Sequence, residues 1–135
     1  MKFILPIALI CALLSLAHPV FAADEEQAKP APVIYLPLKP KFTVNLQGKR
    51  HYLRAEVQLK LDNDATKSTV QLHNAAIRHA LVLVLSDKDV KQITSMSGRE
   101  SLRAEALAAV QEALKTYAGK NKGIEDLFFT DFVAQ

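Results

Sequence analysis

The C-terminal stretch from 124 to 135 carries apolar side chains on both of its alternating faces, and three of the protein's six phenylalanines lie in its last eight residues. Strict alternation would place Phe128, Thr130, Phe132 and Ala134 on one face and Leu127, Phe129, Asp131 and Val133 on the other. Two apolar faces are typical of a strand covered on both sides rather than of a solvated edge. The pattern therefore predicts a closing strand whose Phe128 and Phe132 pack against a helix.

Two further strands are predicted upstream, and they form an antiparallel hairpin with one solvated face. In the first, Phe42, Val44 and Leu46 alternate with polar residues. The second begins at about residue 51, and its apolar face contains Leu53, Ala55, Val57, Leu59 and Leu61. Residues 47–50 are expected to form the turn. Prolines at 37 and 40 cannot donate to a strand ladder, so the residues around them are expected at an edge or in a bulge.

The middle of the chain has the spacing of helices. Apolar residues recur at helical intervals from 65 to 85, and Asp64 is the expected N-cap. The end of this helix, residues 80–85, is apolar on all sides. Such a run indicates burial from several sides, by the rest of the domain or by a neighbouring copy, although a strand is an alternative interpretation.

Two more helices are expected before the closing strand. Ser86 and Asp87 can cap a short helix ending at about residue 93, and Ser97 with Glu100 forms a capping box for a helix from 98 to 118. Gly119 is placed to end it. The predicted buried face of this last helix consists of Leu102, Ala106, Ala109, Val110, Ala113, Leu114 and Tyr117. The order predicts an α+β fold, in which a small antiparallel sheet packs against two long helices and one short helix (β-β-α-α-α-β).

The N-terminus follows the pattern of a secretory signal peptide over residues 1–22. Lys2 precedes an apolar run from 3 to 17, and small side chains occupy Val20 and Ala22. This run is shorter than the ~20 residues that span a bilayer. Export to the periplasm is therefore expected, with an uncleaved inner-membrane anchor as the alternative. Residues 23–34 are charged and proline-rich and are predicted to be a disordered leader, which leaves one domain from 35 to 135.

Composition narrows the possible chemistry further. Cys11 is the only cysteine and lies in the predicted signal peptide. A cleaved chain would have no thiol, which excludes disulfides, thiolate metal sites and cysteine catalysis. The 17 basic and 14 acidic residues give a net charge of +3, which indicates little about partners.

The sequence contains no arrangement typical of a catalytic, metal or cofactor site. His73 and His79 are six residues apart and would project to different sides of one helix. Residues 62–64 resemble the start of a calcium loop, but Lys67 stands where glycine is needed and His73 where glutamate is needed. No glycine-rich phosphate loop and no nucleophile elbow is present. A protein without enzymatic activity, metal or cofactor is therefore expected.

Two sets of residues are candidates for binding. Basic side chains gather on the predicted hairpin, and this predicted basic face comprises Lys39, Lys41, Arg50 and Arg54. It is interpreted as a solvated face, or as a surface for an acidic partner or anionic lipid; nucleic acid is not expected for an exported protein. The second set, for self-association through the apolar helix end, comprises Leu81, Leu83 and Leu85.

An ordered series of short segments resembles the flagellar basal body-associated FliL family. The segments are Tyr35-Leu36-Pro37-Leu38, Phe42-Thr43-Val44-Asn45-Leu46, Arg50-His51-Tyr52-Leu53-Arg54, Ile77-Arg78, Leu85-Ser86, Gly98 with Leu102-Arg103, and Phe129-Thr130-Asp131-Phe132-Val133 with Gln135. The resemblance covers about residues 33–135. It implies a stomatin-like exported domain that assembles into rings beside the flagellar motor, contacts stator units and supports torque as a scaffold.

One feature departs from the family's pattern. Members typically keep a basic cytoplasmic tail and a transmembrane helix, whereas this chain has only Lys2 before its apolar run and an apparent signal peptide. The departure implies membrane contact that is peripheral at most if the signal is cleaved. The protein is then expected to form homo-oligomers or to assemble with an anchored paralogue. The alternative function is a free-standing stomatin-like envelope module that binds lipid or another envelope protein.

Overall fold

A computed structural model describes residues 29–135, of which residues 31–135 form one unit. The predicted signal peptide and the first part of the predicted leader, residues 23–28, lie outside the described residues. Residues 29–33 are exposed and belong to neither helix nor strand. The first strand begins at Ile34.

Seven elements follow in the order β-β-α-α-α-α-β. They are β1 (Ile34–Asn45), β2 (Tyr52–Leu61), α1 (Asp64–Leu72), α2 (Asn74–Leu85), α3 (Val90–Thr94), α4 (Met96–Ala118) and β3 (Ile124–Ala134). The strands form one antiparallel sheet in the order β1-β2-β3. The predicted α+β class and the predicted hairpin are confirmed.

The long helix predicted from 65 to 85 is wrong in one respect, because the chain forms two helices there. The break lies at His73, which adopts a turn conformation with φ −101° and ψ 22°. His73 and Asn74 are both weak helix formers, which lowers the cost of an interruption at this place. The predicted N-cap, Asp64, is also wrong by one residue. Asn63 is the N-cap of α1, because its side chain accepts the Thr66 backbone N–H at 2.9 Å.

The other two helix starts also differ from the prediction. Asp89, rather than Ser86 and Asp87, caps α3 by accepting the backbone N–H of Lys91 at 2.7 Å. Ser95, rather than Ser97, caps α4, because its backbone is extended and its Oγ accepts the Gly98 N–H at 3.0 Å. Gly98 has a packing role in this start. A Cβ there would lie 1.7 Å from the Gln92 carbonyl oxygen, so the first turn of α4 lies directly against α3.

The closing strand exists as predicted, but its position and its faces differ. β3 is an edge strand of the described sheet and pairs only with β2. One extra residue, Thr130, lies between the pairs Glu56 with Asp131 and Val57 with Phe129. This bulge shifts the alternation. A second extra residue, Glu125, lies between the pairs Lys60 with Asp126 and Leu61 with Ile124. The β3 residues that face the helices are therefore those opposite the apolar positions of β2, namely Ile124, Leu127, Phe129, Phe132 and Ala134.

The core lies between one face of the sheet and the helices α2 and α4. The helix interpretation of residues 80–85 is confirmed, but burial of that run on all sides is not. Leu81 and Leu85 are fully buried, whereas Val82 and Leu83 remain exposed. Tyr117, predicted to be buried on α4, is 60% exposed, because it lies in the last turn beyond the buried residues of that helix.

Candidate interaction surfaces

The sheet face turned away from the helices carries a charge network that crosses all three strands. Its members are Lys39 and Lys41 from β1, Arg54 and Glu56 from β2, and Asp131 from β3. The Nζ of Lys39 lies 2.7 Å from Glu56 Oε1, and the Nζ of Lys41 lies 2.7 Å from Asp131 Oδ2 and 3.5 Å from Glu56 Oε2. Arg54 is 3.9 Å from Asp131. Three of the four residues of the predicted basic face therefore have carboxylate partners within the chain.

The pKa values respond to these contacts in the expected directions. The hydrogen bond from Lys39 lowers the pKa of the Glu56 carboxyl, and the hydrogen bond from Lys41 lowers that of Asp131. Conversely, the hydrogen bond to Asp131 raises the pKa of the Lys41 ammonium. All three groups stay charged at neutral pH. The network therefore leaves one net positive charge on this face, which is less than the basic side chains alone indicate.

Arg50, the fourth residue of the predicted basic face, lies apart from the network. It occupies the turn between β1 and β2 with a φ of 69° and is exposed. Among residues 29–135, no carboxylate lies within ion-pair distance of its guanidinium. The structure thus brings Lys39, Lys41 and Arg54 together and leaves Arg50 at the end of the hairpin.

The second predicted set divides in the same way. Leu81 and Leu85 belong to the core, so only Leu83 is available to another molecule, with 64% of its surface exposed. Ala75, His79 and Val82 are exposed on the same side of α2, since they follow one another at helical spacing. These four residues constitute the α2 outer face. It contains no lysine, arginine or carboxylate, and Leu72 at the end of α1 is a further exposed leucine, at 79%.

A third surface, at the junction of α4 and β3, has no counterpart among the predictions. A cleft of about 300 Å³ is lined by Arg99, Glu100, Arg103, Asp126, Phe128 and Phe129. Arg103 forms ion pairs with Glu100 at 3.0 Å and with Asp126. Arg99 instead lies over the ring of Phe132, 4.7 Å from its centroid. Among residues 29–135, no carboxylate lies within ion-pair distance of Arg99.

These three surfaces are the candidate interaction surfaces of residues 29–135. Within the described part of the chain, no group of three histidine, cysteine or acidic side chains is placed to hold a metal ion. No helix between residues 29 and 135 has the length and hydrophobicity required to cross a membrane.

Pairing across the sheet explains what the sequence interpretation missed. Asp131 lies 90 positions from Lys41, and β2 separates their strands in the sheet. A local pattern of basic residues on a hairpin contains no information about that partner. Glu56 lies two positions from Arg54 in the sequence, on the predicted solvated face of the hairpin. It was the feature of the local sequence that indicated a face of mixed charge.

Comparison with known proteins gives a consistent result. A family model described as flagellar basal body-associated protein FliL matches residues 35–135. The flagellar protein FliL of Aquifex aeolicus is 31% identical over 110 residues, which cover 80% of this chain and 65% of that protein. The flagellar protein FliL of Escherichia coli K12 is 30% identical over 120 residues, which cover 87% of this chain and 75% of that protein.

Proposed function

Because this chain belongs to the family of the flagellar basal body-associated protein FliL, as its resemblance predicted, we propose that it is a non-enzymatic accessory scaffold of the flagellar motor. In this role it self-associates and supports the stator units during swimming or swarming. The observation that carries the proposal is the family match across residues 35–135, which includes every described helix and all but the first residue of the sheet.

The α2 outer face supports the self-association part of the proposal. An exposed leucine beside an exposed valine, with no charged group on that side of the helix, has little cost of desolvation when another surface covers it. Leu81 and Leu85 contribute indirectly, by fixing α2 on the core. The partner surface is a second copy of this chain or an anchored paralogue.

Deletion of the gene tests the motor role. Swimming and swarming are expected to weaken as the medium is made more viscous, because the load on the motor rises. Complementation with the unaltered gene should restore both. Unchanged motility under load, with normal expression of the motor proteins, would contradict the proposal.

The Leu83→Glu variant tests self-association. It places a charge in the centre of the α2 outer face without touching the core, so analytical ultracentrifugation should show a shift towards monomer at an unchanged melting temperature. The matched control is Ala108→Glu, which introduces the same charge at an exposed position of α4. Unfolding of the Leu83→Glu protein would mean that the residue is needed for the fold instead, and an unchanged oligomer would exclude this face.

Periplasmic location after signal cleavage is part of the same proposal. Mass spectrometry of the protein recovered from the cell envelope should give a mature N-terminus at Ala23. A protein that still begins at Met1 would indicate the anchored arrangement.

The charge network makes the alternative of a lipid-binding envelope module less favourable, because two carboxylates lie among the cations that would meet anionic headgroups. Co-sedimentation with anionic vesicles at two salt concentrations distinguishes the two functions. Capture that weakens as salt screens the charges would favour the lipid-binding module.

A further inference from the structure

Both edges of the sheet are partly protected against the addition of another strand. On β1, Pro37 and Pro40 have no N–H to offer, and Arg78 donates to the Pro40 carbonyl at 2.9 Å. Farther along, the Asn45 carbonyl accepts the Asp87 N–H at 2.9 Å, and the Gln47 N–H donates to the Lys88 carbonyl at 3.0 Å. Proteins commonly protect sheet edges in such ways, because unpaired backbone groups recruit other strands.

The first half of β3 is protected by side chains. Gln111 from α4 donates to the Ile124 carbonyl at 2.9 Å. The Leu127 N–H donates to the Asp126 carboxylate at 2.8 Å, and Arg103 reaches the Leu127 carbonyl at 3.4 Å. These contacts occupy the backbone groups that point away from β2.

The second half of β3, residues 129–134, receives no contact of this kind from α4 and is referred to as the open edge. Gln135 exchanges two hydrogen bonds with Tyr52 of β2, at 2.9 and 3.0 Å. By the alternation of an antiparallel pair, the N–H and C=O groups of Ala134 and Phe132 then point outward. Of these groups, the Phe132 N–H donates to the Asp131 carboxylate and helps to lower its pKa, so it is not open to a new strand. No other part of residues 29–135 hydrogen bonds to the Phe132 carbonyl or to Ala134.

Arg99 lies beside the open edge. Its guanidinium lies over the Phe132 ring, and Phe132 in turn contacts Phe129, with ring centroids 5.2 Å apart. Because Arg103 is engaged by two carboxylates and Arg99 by none within the described chain, Arg99 is the cation of this region that a new carboxylate can pair with.

We propose that the open edge of β3 binds an extended segment of another protein by strand addition, and that Arg99 binds an acidic side chain of that segment. The Phe132 carbonyl and the N–H and carbonyl of Ala134 supply the ladder, and the half-buried Phe129 and Phe132 rings supply apolar contact. The protected first half of β3 ends the ladder and so fixes its register. This surface is separate from the α2 outer face and does not depend on self-association.

An NMR titration of the ¹⁵N-labelled full chain tests the proposal. The probe is the synthetic peptide acetyl-Val-Thr-Val-Glu-Val-Thr-amide. Shifts are expected at the amides of residues 129–135 and not at 124–127. A peptide with Gln in place of Glu should bind about fivefold more weakly, since charge-assisted hydrogen bonds are roughly twice as strong as neutral ones. An N-methylated peptide of the same sequence should not bind, because it cannot form the ladder.

Protein variants distinguish the contribution of the Arg99 charge from that of backbone pairing at the open edge. In the Arg99→Gln protein, the Glu and Gln peptides should bind equally. This result would show that the Arg99 guanidinium and the peptide's Glu carboxylate act together. The control is Lys120→Gln, which removes an exposed cation beyond the far end of α4 and should preserve the difference between the peptides. Equal binding of the N-methylated peptide, or shifts elsewhere, would overturn the proposal. Concentration-dependent broadening at 129–134 without peptide would also overturn it, by showing that a second copy occupies the edge.

Discussion

Replacing Phe129 and Phe132 with alanine, singly and together, is expected to give losses of unfolding free energy that do not add. The two rings lie on the helix side of the sheet with centroids 5.2 Å apart, and both are half-buried. Full burial of such a side chain stabilises by about 1.5–3 kcal/mol, so each single replacement should cost about 1–2 kcal/mol. An aromatic pair contributes about 0.5–1.5 kcal/mol beyond its area, which is the coupling expected in the double variant.

Phe128 provides the comparison. Strict alternation places it beside Phe132, whereas the Thr130 bulge places it on the opposite face, where its ring meets Tyr35 at 6.1 Å. The Phe128 and Phe132 replacements should therefore add to within about 0.5 kcal/mol. Urea denaturation followed by circular dichroism measures the unaltered protein and the five variants. A coupling between Phe128 and Phe132 larger than that between Phe129 and Phe132 would refute the bulged register.

Three further outcomes are expected. Gly123→Ala should cost about 1–3 kcal/mol, because residue 123 has a φ of 128° and an added Cβ would lie 2.7 Å from the Thr66 side chain; thermal melting measures this. The Asp131 carboxyl has a lowered pKa in the folded protein because of its hydrogen bond with Lys41. The stability that this ion pair contributes should therefore be present above the ordinary pKa of 3.8 and be lost as the pH falls below it; thermal melting at several pH values measures this. Removal of residues 130–135 should abolish folding, because it uncovers the β2 core; circular dichroism detects the lost transition.

For each of these three predictions, a specific result would contradict it. Gly119→Ala is the control for the glycine, since its φ is 66° but nothing lies within 4 Å of an added Cβ; an equal loss would mean that contact with Thr66 is unimportant. For the pH dependence, the Asp131→Asn protein should show a smaller fall in melting temperature at acid pH. An unchanged fall would assign the effect to other carboxylates. A shortened protein that melts cooperatively at the normal temperature would show that β1 and β2 suffice.

The elements could largely be predicted from the sequence, because their signals are local. The alternating apolar residues from Leu53 to Leu61 form the buried face of β2, as their pattern predicted. The buried residues of α4 likewise recur at helical spacing. Interruptions were harder to predict. The break at His73 depends on a small difference in helix propensity, and Ser95 and Ser97 are both acceptable caps until α3 is seen to pack against Gly98.

The candidate interaction surfaces were less predictable, because each depends on which residue lies opposite another in the sheet, and not on which residues are its neighbours in sequence. The register of β3 brings Asp131 to Lys41, and the same register directs Phe132 towards Arg99 on α4. The extra residue Thr130 decides which face the earlier part of the strand presents, since without this bulge Phe128 and Phe129 would exchange faces. The closing strand contributes in two ways: one of its faces completes the core, and its outer edge is protected by α4 and Asp126 as far as Leu127, after which the Phe132 carbonyl and Ala134 are open.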